Sequence, residues 1–457
     1  MKTRRRRRRR ITAKFVIILV LFIIALTLGI LVLSNSGSDN GNVVPGETQK
    51  PGLIDSIFSK TPEPTETPEP EPTETPEPTP TPLPEFSPYA IEGTRPSDFG
   101  METAIEINGE IVSSYQREQT IDFGEGKDYT QLEGIITFRG NNFRDNPAYG
   151  TATIVEKTLD DANAWIVNTG SVPKVYGSGA WTGSGWTGQP LIVRWPEETK
   201  RIMNLYDSAK NKAGLVEVIY ATMDGHIYFL DLDTGERTRD PINMGRYPFK
   251  GAGALDPRGY PLMYLGSGDD SKDDGEGSSH ASIISLIDGK ILYEFGSKDS
   301  FSLRGKLSYF DSSALVDAET DTLIYPGENG ILYMIKLNTN YDVNAGTISV
   351  APEVVKWRYK GSRNNSTATV DGSKGWWFGM EDSAIIWRGH LIVSDNGGHM
   401  MCINLNTLEL VWVQDVLDDT NCTAVLELEN GHPYVYCSTS FHGGWRADTN
   451  AKASIPI

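Results

Sequence analysis

The stretch Asp224–Gly235 reads DGHIYFLDLDTG and predicts a β-hairpin with a turn at each end. Asp224-Gly225 is a two-residue turn, because glycine adopts positive φ at no steric cost. His226–Asp231 places alternate side chains on opposite faces and is the second strand of the hairpin, while Val216–Met223 supplies the first. Asp233-Thr234-Gly235 then turns the chain again, so the unit is strand, turn, strand, turn.

This unit recurs downstream at intervals of roughly 50 to 70 residues, which indicates a repeat architecture. An element with a large aromatic side chain follows each copy: Tyr293, Trp357 or Trp412. Blades packed face to face around an axis need two apolar faces, which the runs of apolar residues supply. The sequence therefore predicts an all-β fold, a β-propeller of four-stranded blades. The three copies are Ser278–Gly289 (SSHASIISLIDG), Asn329–Asn340 (NGILYMIKLNTN) and Gly397–Leu408 (GGHMMCINLNTL).

The repeat pattern of apolar strand, x-G turn, I-Y-x-L-D, T-G and trailing tryptophan resembles the repeats of PQQ-type β-propellers. Ile135–Gly150 (IITFRGNNFRDNPAYG) resembles the F-R-G segment that often precedes their first blade. The whole layout resembles membrane-anchored PQQ-like repeat proteins of Gram-positive anaerobic bacteria. The resemblance implies a PQQ-like propeller over residues 135–457, preceded by a lead-in segment at 86–134 in which Ala104–Ser113 predicts a small hairpin.

The N-terminal residues predict a membrane anchor. Phe15–Leu33 is a nineteen-residue apolar run, which as a helix would span about 28 Å of the ~30 Å hydrocarbon core. Arg4–Arg10 precedes it, and the positive-inside rule places residues 1–14 in the cytoplasm and the remainder outside the cell. A cleaved signal peptide is the alternative, which the absence of a small-residue cleavage site after the run disfavours. We therefore expect a single-pass signal-anchor protein of the cell membrane.

Residues 34–85 predict a disordered stalk. Lys60–Glu85 is a proline-rich tract of Thr, Pro and Glu, in which proline prevents both helix and sheet pairing. An extended, acidic linker of this length would hold the propeller up to roughly 75 Å from the bilayer.

The charge and the cysteines exclude two further classes. The net charge is −18, and the first fourteen residues contribute +9, so the rest of the chain carries −27. Such an acidic body repels phosphate, and we expect no nucleic-acid partner. Three sparse cysteines, Cys402, Cys422 and Cys437, form no disulfide framework. The alternatives for the last two are a bridge across a hairpin closed by Asn430-Gly431, or free thiols.

The length from Ile135 onward, about 320 residues, predicts five or six blades at the observed spacing. His432–Ser438 resembles the strand that elsewhere opens a repeat, but no T-G turn or trailing aromatic follows it. Since an open blade exposes apolar faces and strand edges, this favours a propeller truncated at its C-terminus. Closure with few blades is the alternative.

Aromatic residues in glycine-rich loops are the candidate ligand-binding residues. Such side chains stack on sugar rings or on a quinone, and the alternative is that they pack between blades. The pair Trp376 and Trp377 would point to opposite faces of a strand. The candidates are Trp181 and Trp186 in GAWTGSGWTGQP, Trp376 and Trp377, and His442 with Trp445 and Arg446.

The segment DDSKDDGE has the carboxylate density of a calcium loop but lacks EF-hand spacing. A solvated acidic insertion between strands is the favoured interpretation. The weak metal candidates are Asp269, Asp270, Asp273, Asp274 and Glu276.

Three functions are open. The resemblance implies one, a quinoprotein dehydrogenase with PQQ and calcium, but such enzymes have an adjacent cysteine pair and this sequence has none. The second is a cell-wall glycan-binding module that uses Trp181 and Trp186. The third, which we favour, is a non-enzymatic protein-interaction or scaffold module at the cell surface, with an extracytoplasmic protein partner and no cofactor.

Overall fold

The predicted hairpin is present in the computed structural model, which describes residues 86–158, 164–304, 307–361, 378–417 and 419–439. Strands Glu217–Ala221 and His226–Asp231 pair antiparallel, with Ile219 opposite Phe229. Gly225 has a φ of 80°, as the two-residue turn requires. The structure is nearly all β, and its sheets are arranged as a β-propeller, as the sequence predicted.

Four antiparallel sheets are the blades of the described part of the chain. A two-stranded hairpin follows blade 4 and pairs Val425–Glu429 with His432–Tyr436. The blades comprise Leu191–Arg194, Glu217–Ala221, His226–Asp231 and Ile242–Asn243 (blade 1); Ala254–Leu255, Leu262–Gly266, Ala281–Ser285 and Ile291–Phe295 (blade 2); Leu315–Asp317, Thr322–Pro326, Ile331–Lys336 and Glu353–Lys360 (blade 3); and Ile385–Trp387, His390–Ser394, His399–Asn404 and Leu410–Asp415 (blade 4).

The expectation of five or six blades was too high for the residues that the structure describes. Insertions lengthen the repeats, so that fewer repeats fit into the same length. Helical turns separate the first two strands of blade 1, an enlarged turn at 267–280 lies in blade 2, and a hairpin pairing Asn340–Asp342 with Thr347–Ser349 interrupts blade 3.

The lead-in residues extend the sheets. Glu102–Ile107 and Glu110–Val112 form the small hairpin that the sequence predicted, and the first of them pairs with Glu353–Lys360 at the outer edge of blade 3. Glu133–Ile135 pairs with the first strand of blade 1. The remaining elements are a hairpin of Ser171–Pro173 with Ala180–Thr182 and the 3-10 helices Pro96–Phe99 and Gly126–Asp128.

The apolar residues of Pro190–Trp195 (PLIVRW) and Arg201–Tyr206 (RIMNLY) predict a hairpin around Pro196-Glu197-Glu198, and the second strand of this prediction is wrong. The helices Glu197–Ile202 and Asp207–Asn211 occupy this region. Pro196 precedes the first helix, Glu197 and Glu198 lie in its first turn, and Arg201 lies in its last. These charges complement the helix dipole, so local electrostatics favour the helix over a strand.

The three largest hydrophobic cores each lie between two neighbouring blades. Ile219 and Phe229 of blade 1 pack with Met263 and Leu265 of blade 2, and the same arrangement continues between blades 2 and 3 and between blades 3 and 4. Alternate residues of one strand thus face different neighbours. This explains why the central strands read as continuous apolar runs, as the sequence analysis expected.

The segment 136–144, within the stretch that resembles the F-R-G segment, lies along the inner edges of successive blades. The amides of Leu255, Ile386 and Leu426 donate to backbone oxygens of this segment at 2.7, 3.0 and 3.0 Å. The Arg144 guanidinium is fully buried and donates to the carbonyl oxygens of Ala384, Phe138 and Ser313. The segment therefore ties blades 2, 3 and 4 and the last hairpin together at the propeller axis.

Side-chain hydroxyl groups at equivalent positions of successive repeats form a second set of hydrogen bonds between the blades. Ser313 Oγ donates to the carbonyl of Gly253 at 2.9 Å, and the Ser313 amide donates to Ser383 Oγ at 2.8 Å. The Ser383 amide in turn donates to Thr423 Oγ1 at 3.0 Å. These bonds connect blade 2 to blade 3, blade 3 to blade 4, and blade 4 to the last hairpin, so they fix the spacing of these elements near the axis.

The predicted cytoplasmic tail, membrane span and stalk lie outside the described residues, as do Trp376, Trp377, His442, Trp445 and Arg446. Among the helices that the structure describes, none has the length and hydropathy to cross a bilayer. The hairpin at Asn430-Gly431 is present, and all three cysteines are free thiols.

Candidate functional site

The candidate site lies where the turns between second and third strands meet the connections that lead into each blade. We call this end the Trp186 face and define it by loop 181–188, turns 267–280, 327–330 and 395–398, and connections 248–251, 307–311 and 378–382. All these segments lie at the same end of the blades, because each enters a first strand or joins a second strand to a third.

Two of the motifs singled out in the sequence meet on this face. Trp181 Nε1 donates to Asp269 Oδ2 at 2.7 Å, although 88 residues separate them. The Trp181 and Trp186 rings lie 5.7 Å apart and are tilted by 48°. Lys174 Nζ covers one face of Trp181 at 3.9 Å from the ring centroid. Trp181 is thus held in place by its partners, whereas Trp186 is 63% exposed.

Glycines seat the tryptophan loop directly on the entry to blade 2. A Cβ added at Gly185 would lie 2.2 Å from the carbonyl oxygen of Lys250, and one at Gly188 would lie 2.4 Å from the amide nitrogen of Ala252. A larger residue at either position would have to displace backbone. The loop therefore presents Trp186 from a fixed position.

The acidic insertion divides into an inner and an outer half. Asp269 and Asp270 are buried, and Asp270 accepts from the amides of Gly277 and Ser279 at 3.0 and 2.9 Å. Burial raises the pKa of the Asp270 carboxyl. The outer half pairs with the surface, since Asp273 lies 3.3 Å from Arg246 and Asp274 accepts from Tyr247 at 2.8 Å.

Glu276, the last of the metal candidates, lies beside Tyr176. Burial and the charge of Glu276 raise the pKa of the Tyr176 hydroxyl to about 12. Since Asp269 and Asp270 turn inward while Asp273 and Asp274 turn to the surface, the five carboxylates do not converge. In the described ranges no group of three or more His, Cys, Asp or Glu side chains is arranged to hold a metal ion.

Beneath the tryptophan loop, Lys250 and Asp311 form a buried ion pair with a separation of 3.8 Å. Lys250 Nζ also lies 4.6 Å from the Tyr309 ring centroid and 5.4 Å from that of Trp186. Asp311 Oδ1 is buried and has no hydrogen-bond partner. Burial raises the pKa of Asp311 to about 7, because it outweighs the attraction of Lys250, and the charges of Glu381 and Asp269 add to the increase.

A second cluster of polar side chains connects blade 3 to blade 4. Arg304 Nη2 donates to Glu328 Oε1 at 2.7 Å, and Arg304 Nη1 donates to Asn396 Oδ1 at 2.6 Å. The Asn396 amide donates to Glu381 Oε2 and to Asp419 Oδ1, both at 3.0 Å. Glu328 Oε2 is buried without a hydrogen-bond partner. Burial, which the charges of Glu381 and Asp311 reinforce, raises the Glu328 pKa well above its usual value.

The raised pKa of Asp311 predicts a pH-dependent stability difference from the Asp311→Asn variant. The native carboxyl holds its proton where the unfolded one has lost it, so Asp311 stabilises the fold below pH ~4 and loses that contribution as the pH rises towards about 7. We expect the variant to gain stability relative to the original protein as the pH rises from ~4.5 to ~7.5. Urea unfolding at several pH values measures this difference.

Asp382 also has a raised pKa, but it is present in both proteins and cancels in the difference. The Asp311 charge contributes to the raised pKa of Glu328, so its removal should lower that pKa and add to the variant's gain in stability as the pH rises. A difference in stability that does not change with pH would contradict the assignment of a high pKa to Asp311.

The sequence analysis missed Lys250, Arg304, Asp311, Glu328 and Glu381. A signal was available in the repeats, because Asp311 and Glu381 each stand three residues before the alanine that precedes the first strand of their blade. Alignment of the connections, rather than of the strands, would have placed both carboxylates at equivalent positions around the axis.

No family model and no curated protein matches this chain. Among solved structures, Sqt1 of Saccharomyces cerevisiae is 12% identical with a TM-score of 0.32, and the match covers 50% of this chain and 54% of that one. BamB from Moraxella catarrhalis is 14% identical with a TM-score of 0.29, and the match covers 73% of this chain and 90% of that one. A quinohemoprotein alcohol dehydrogenase from Pseudomonas putida HK5 is 12% identical with a TM-score of 0.32, and the match covers 66% of this chain and 51% of that one. This chain thus spans about half the length of the first and third, and likenesses this weak do not extend to function.

PQQ and calcium are the cofactors that the resemblance implies. For calcium, the carboxylates of the five metal candidates do not converge on one site in the described residues. PQQ does not fit the residues of the Trp186 face either. PQQ is a polycarboxylate, and the cations Lys250 and Arg304 are already paired with Asp311 and Glu328. Trp181 and Trp186 are tilted and cannot sandwich a planar ring. The sequence also lacks the adjacent cysteine pair of such enzymes. We derive no catalytic step through these groups.

Proposed function

We propose that this chain is a non-enzymatic protein-interaction module of the cell surface, which engages an extracytoplasmic partner through the Trp186 face. The observation that carries the proposal is Trp186 itself, a 63% exposed indole on a loop seated against backbone. Large exposed aromatic side chains on rigid supports are typical of the residues that dominate binding energy at protein interfaces.

The surroundings of Trp186 support a protein partner. Tyr176 is 46% exposed, so a second aromatic side chain of the lead-in to blade 1 is available for contact. The exposed side chains of Arg246 and Asp273 at the acidic turn would supply the polar part of an interface, where aromatic anchors are combined with a polar surround. The predicted anchor at Phe15–Leu33 and the predicted stalk would hold this face away from the bilayer, within reach of other surface proteins.

A glycan ligand is less well supported by the same geometry. The 48° tilt between the indoles leaves no common plane for a sugar chain, and Lys174 covers one face of Trp181. Of the two indoles, Trp186 alone then offers a ring on which a sugar could stack. Retention of the protein on isolated peptidoglycan that is lost in Trp186→Ala would favour the glycan instead.

Replacing Trp186 with alanine is expected to abolish recovery of the partner without changing the fold. The measurement is the recovery of cross-linked complexes of the full chain from the membranes of cells that express it. A loss of about 2 kcal/mol at a hot spot corresponds to roughly 30-fold weaker binding, enough to remove the complex.

Ile291→Ala is the matched control. Ile291 is 45% exposed and begins the fourth strand of blade 2, next to the turn at the opposite end of the propeller. Equal recovery of the complex from both variants would place the interaction elsewhere. A rise in melting temperature on addition of PQQ with Ca²⁺ would reopen the enzyme hypothesis.

A further inference from the structure

The side of the propeller carries an open cleft between blades 2 and 3, outside the Trp186 face. Its volume is about 550 Å³, and aromatic, apolar and charged side chains line it. We infer that this cleft binds a neutral carbohydrate, of which one sugar ring packs on Tyr293. The site is a second one, and the inference goes beyond the proposed function.

The cleft exists because neighbouring blades differ in width. The lead-in strand Glu102–Ile107 pairs with Glu353–Lys360 and is followed by another strand, so the sheet of blade 3 has six strands. The sheet of blade 2 ends with Ile291–Phe295. Lys356 and Glu106 lie opposite each other on the wider sheet, and both line the space beside the narrower one. This space has the size of an ordinary small-molecule site, ~300–1,000 Å³.

The blade 2 side of the cleft is aromatic. Tyr293 and Phe295 lie two residues apart on one strand, with ring centroids 6.2 Å apart and planes within 21° of each other. Phe295 is buried and lies 5.0 Å from the Tyr333 ring, which fixes the cluster from the core. Tyr293 is only partly buried, so it can contact a ligand. Pro352 and Val354 add apolar surface from blade 3, and the C–H face of a sugar ring packs on such a surface.

The blade 3 side supplies hydrogen-bonding groups. Lys356 Nζ lies 2.8 Å from Glu106 Oε1 and 2.9 Å from Asp299 Oδ2, and the Tyr333 hydroxyl donates to Asp299 Oδ2 at 3.0 Å. The side chains of Lys356, Glu106 and Asp299 remain 21%, 13% and 9% exposed. A carboxylate oxygen accepts more than one hydrogen bond, so both carboxylates can also accept from ligand hydroxyls.

The pairing of these charges favours a neutral ligand. Lys356, Glu106 and Asp299 are the charged residues among the described residues that line the cleft. An anion would meet two carboxylates, and a cation would have to compete with Lys356 for both of them. A hydroxyl group needs no counter-charge, because it both donates and accepts. Carbohydrates combine hydroxyl groups with an apolar ring face, which matches the two sides of the cleft.

The test is calorimetric titration of the full chain, kept in a detergent without a sugar headgroup. Cellotetraose and N-acetylchitotetraose are the probes, and sorbitol, which has hydroxyls but no ring, is the control ligand. We expect at least one tetrasaccharide to bind with a Kd near 1 mM, and sorbitol to bind ten-fold more weakly or not at all. The affinity should stay the same when NaCl is raised to ~0.5 M, because the ligand is uncharged. Binding of neither tetrasaccharide would overturn the inference.

Three variants and one control locate the site. Tyr293→Ala should weaken saccharide binding ten-fold or more, whereas Tyr293→Phe keeps the ring and should bind within about three-fold of the original protein. Ser300→Trp fills the cleft from an exposed position at its rim and should abolish binding without removing a core contact. Tyr434→Ala removes a 47% exposed tyrosine of the last hairpin and should change nothing. Equal binding by Ser300→Trp and Tyr434→Ala would overturn the inference.

Recovery of the protein partner separates this site from the proposed function. Tyr293→Ala and Ser300→Trp should leave the complex that depends on Trp186 intact. If no saccharide binds while Trp186→Ala still abolishes the complex, the proposed function stands and the carbohydrate site is excluded. Loss of the complex in Ser300→Trp would place the protein partner in the cleft and contradict a site for sugar.

Discussion

Replacing Arg144 with methionine is expected to lower the free energy of unfolding by about 3 kcal/mol or more. The guanidinium is fully buried and donates to three carbonyl oxygens and to Thr137 Oγ1 through all three of its nitrogens, with Nη1 making two of the four bonds. Burial lowers the pKa of Arg144 to about 10, a measure of how far the charge lies from solvent. Methionine fills similar space but leaves the carbonyls of Ala384, Phe138 and Ser313 without these donors.

The measurement is equilibrium urea unfolding, and Arg201→Met is the matched control. Arg201 is an exposed residue of a surface helix, so the same change of charge should alter stability by less than about 0.5 kcal/mol. Because domains of this kind are stable by only about 5–15 kcal/mol, the Arg144 effect should be evident in expression as well. Similar stability of the two variants would mean that segment 136–144 does not tie the blades together.

Replacing Glu217 with alanine is expected to cost about 3–5 kcal/mol of stability, because it leaves the Arg239 charge buried and unpaired. Glu217 and Arg239 are both buried, and Glu217 Oε2 accepts from Arg239 Nη2 at 2.7 Å and from Trp195 Nε1 at 2.9 Å. Thr238 Oγ1 donates to Oε1. Arg239 Nη1 reaches the carbonyl of Leu286 at 2.7 Å, so the pair also connects blade 1 to blade 2.

A second variant separates the ion pair from simple loss of volume. The double replacement Glu217→Met with Arg239→Met removes both charges and fills the space with apolar groups, and we expect it to be more stable than Glu217→Ala. Chemical denaturation of both proteins gives the comparison. If the double variant is the less stable of the two, the charges themselves contribute net stability and the expectation is wrong.

The repeat was predictable because local chemistry specifies it. Turn glycines such as Gly225 and Gly330 must adopt positive φ, and the apolar strands on either side have only one way to pair. Local chemistry at Pro196-Glu197-Glu198 is also sufficient to predict the helix that begins there. The strand prediction gave more weight to the apolar residues that follow. Chain length does not give the number of blades. Residues in a long turn such as 267–280, or in an inserted hairpin, add to the length of the chain without adding a strand to a blade.

The site was predictable only in part. Trp181 and Asp269 were both singled out, but their contact depends on how blades 1 and 2 pack, which no local pattern encodes. Arg144 and Asp311 were missed because a charged residue ordinarily indicates surface, and only the packed structure shows that both are buried. Buried charges of this kind need partners brought from other blades, and that information lies in the assembled fold.

The most direct test of the central claim, that the Trp186 face is the functional end of the propeller, is photo-cross-linking at single positions of the full chain. A photoreactive phenylalanine analogue is placed at position 186 and, separately, at position 291, and the protein is irradiated in the cells that express it. We predict a discrete cross-linked partner from position 186 and none from position 291. Cross-linking from position 291 alone, or equally from both positions, would contradict the claim.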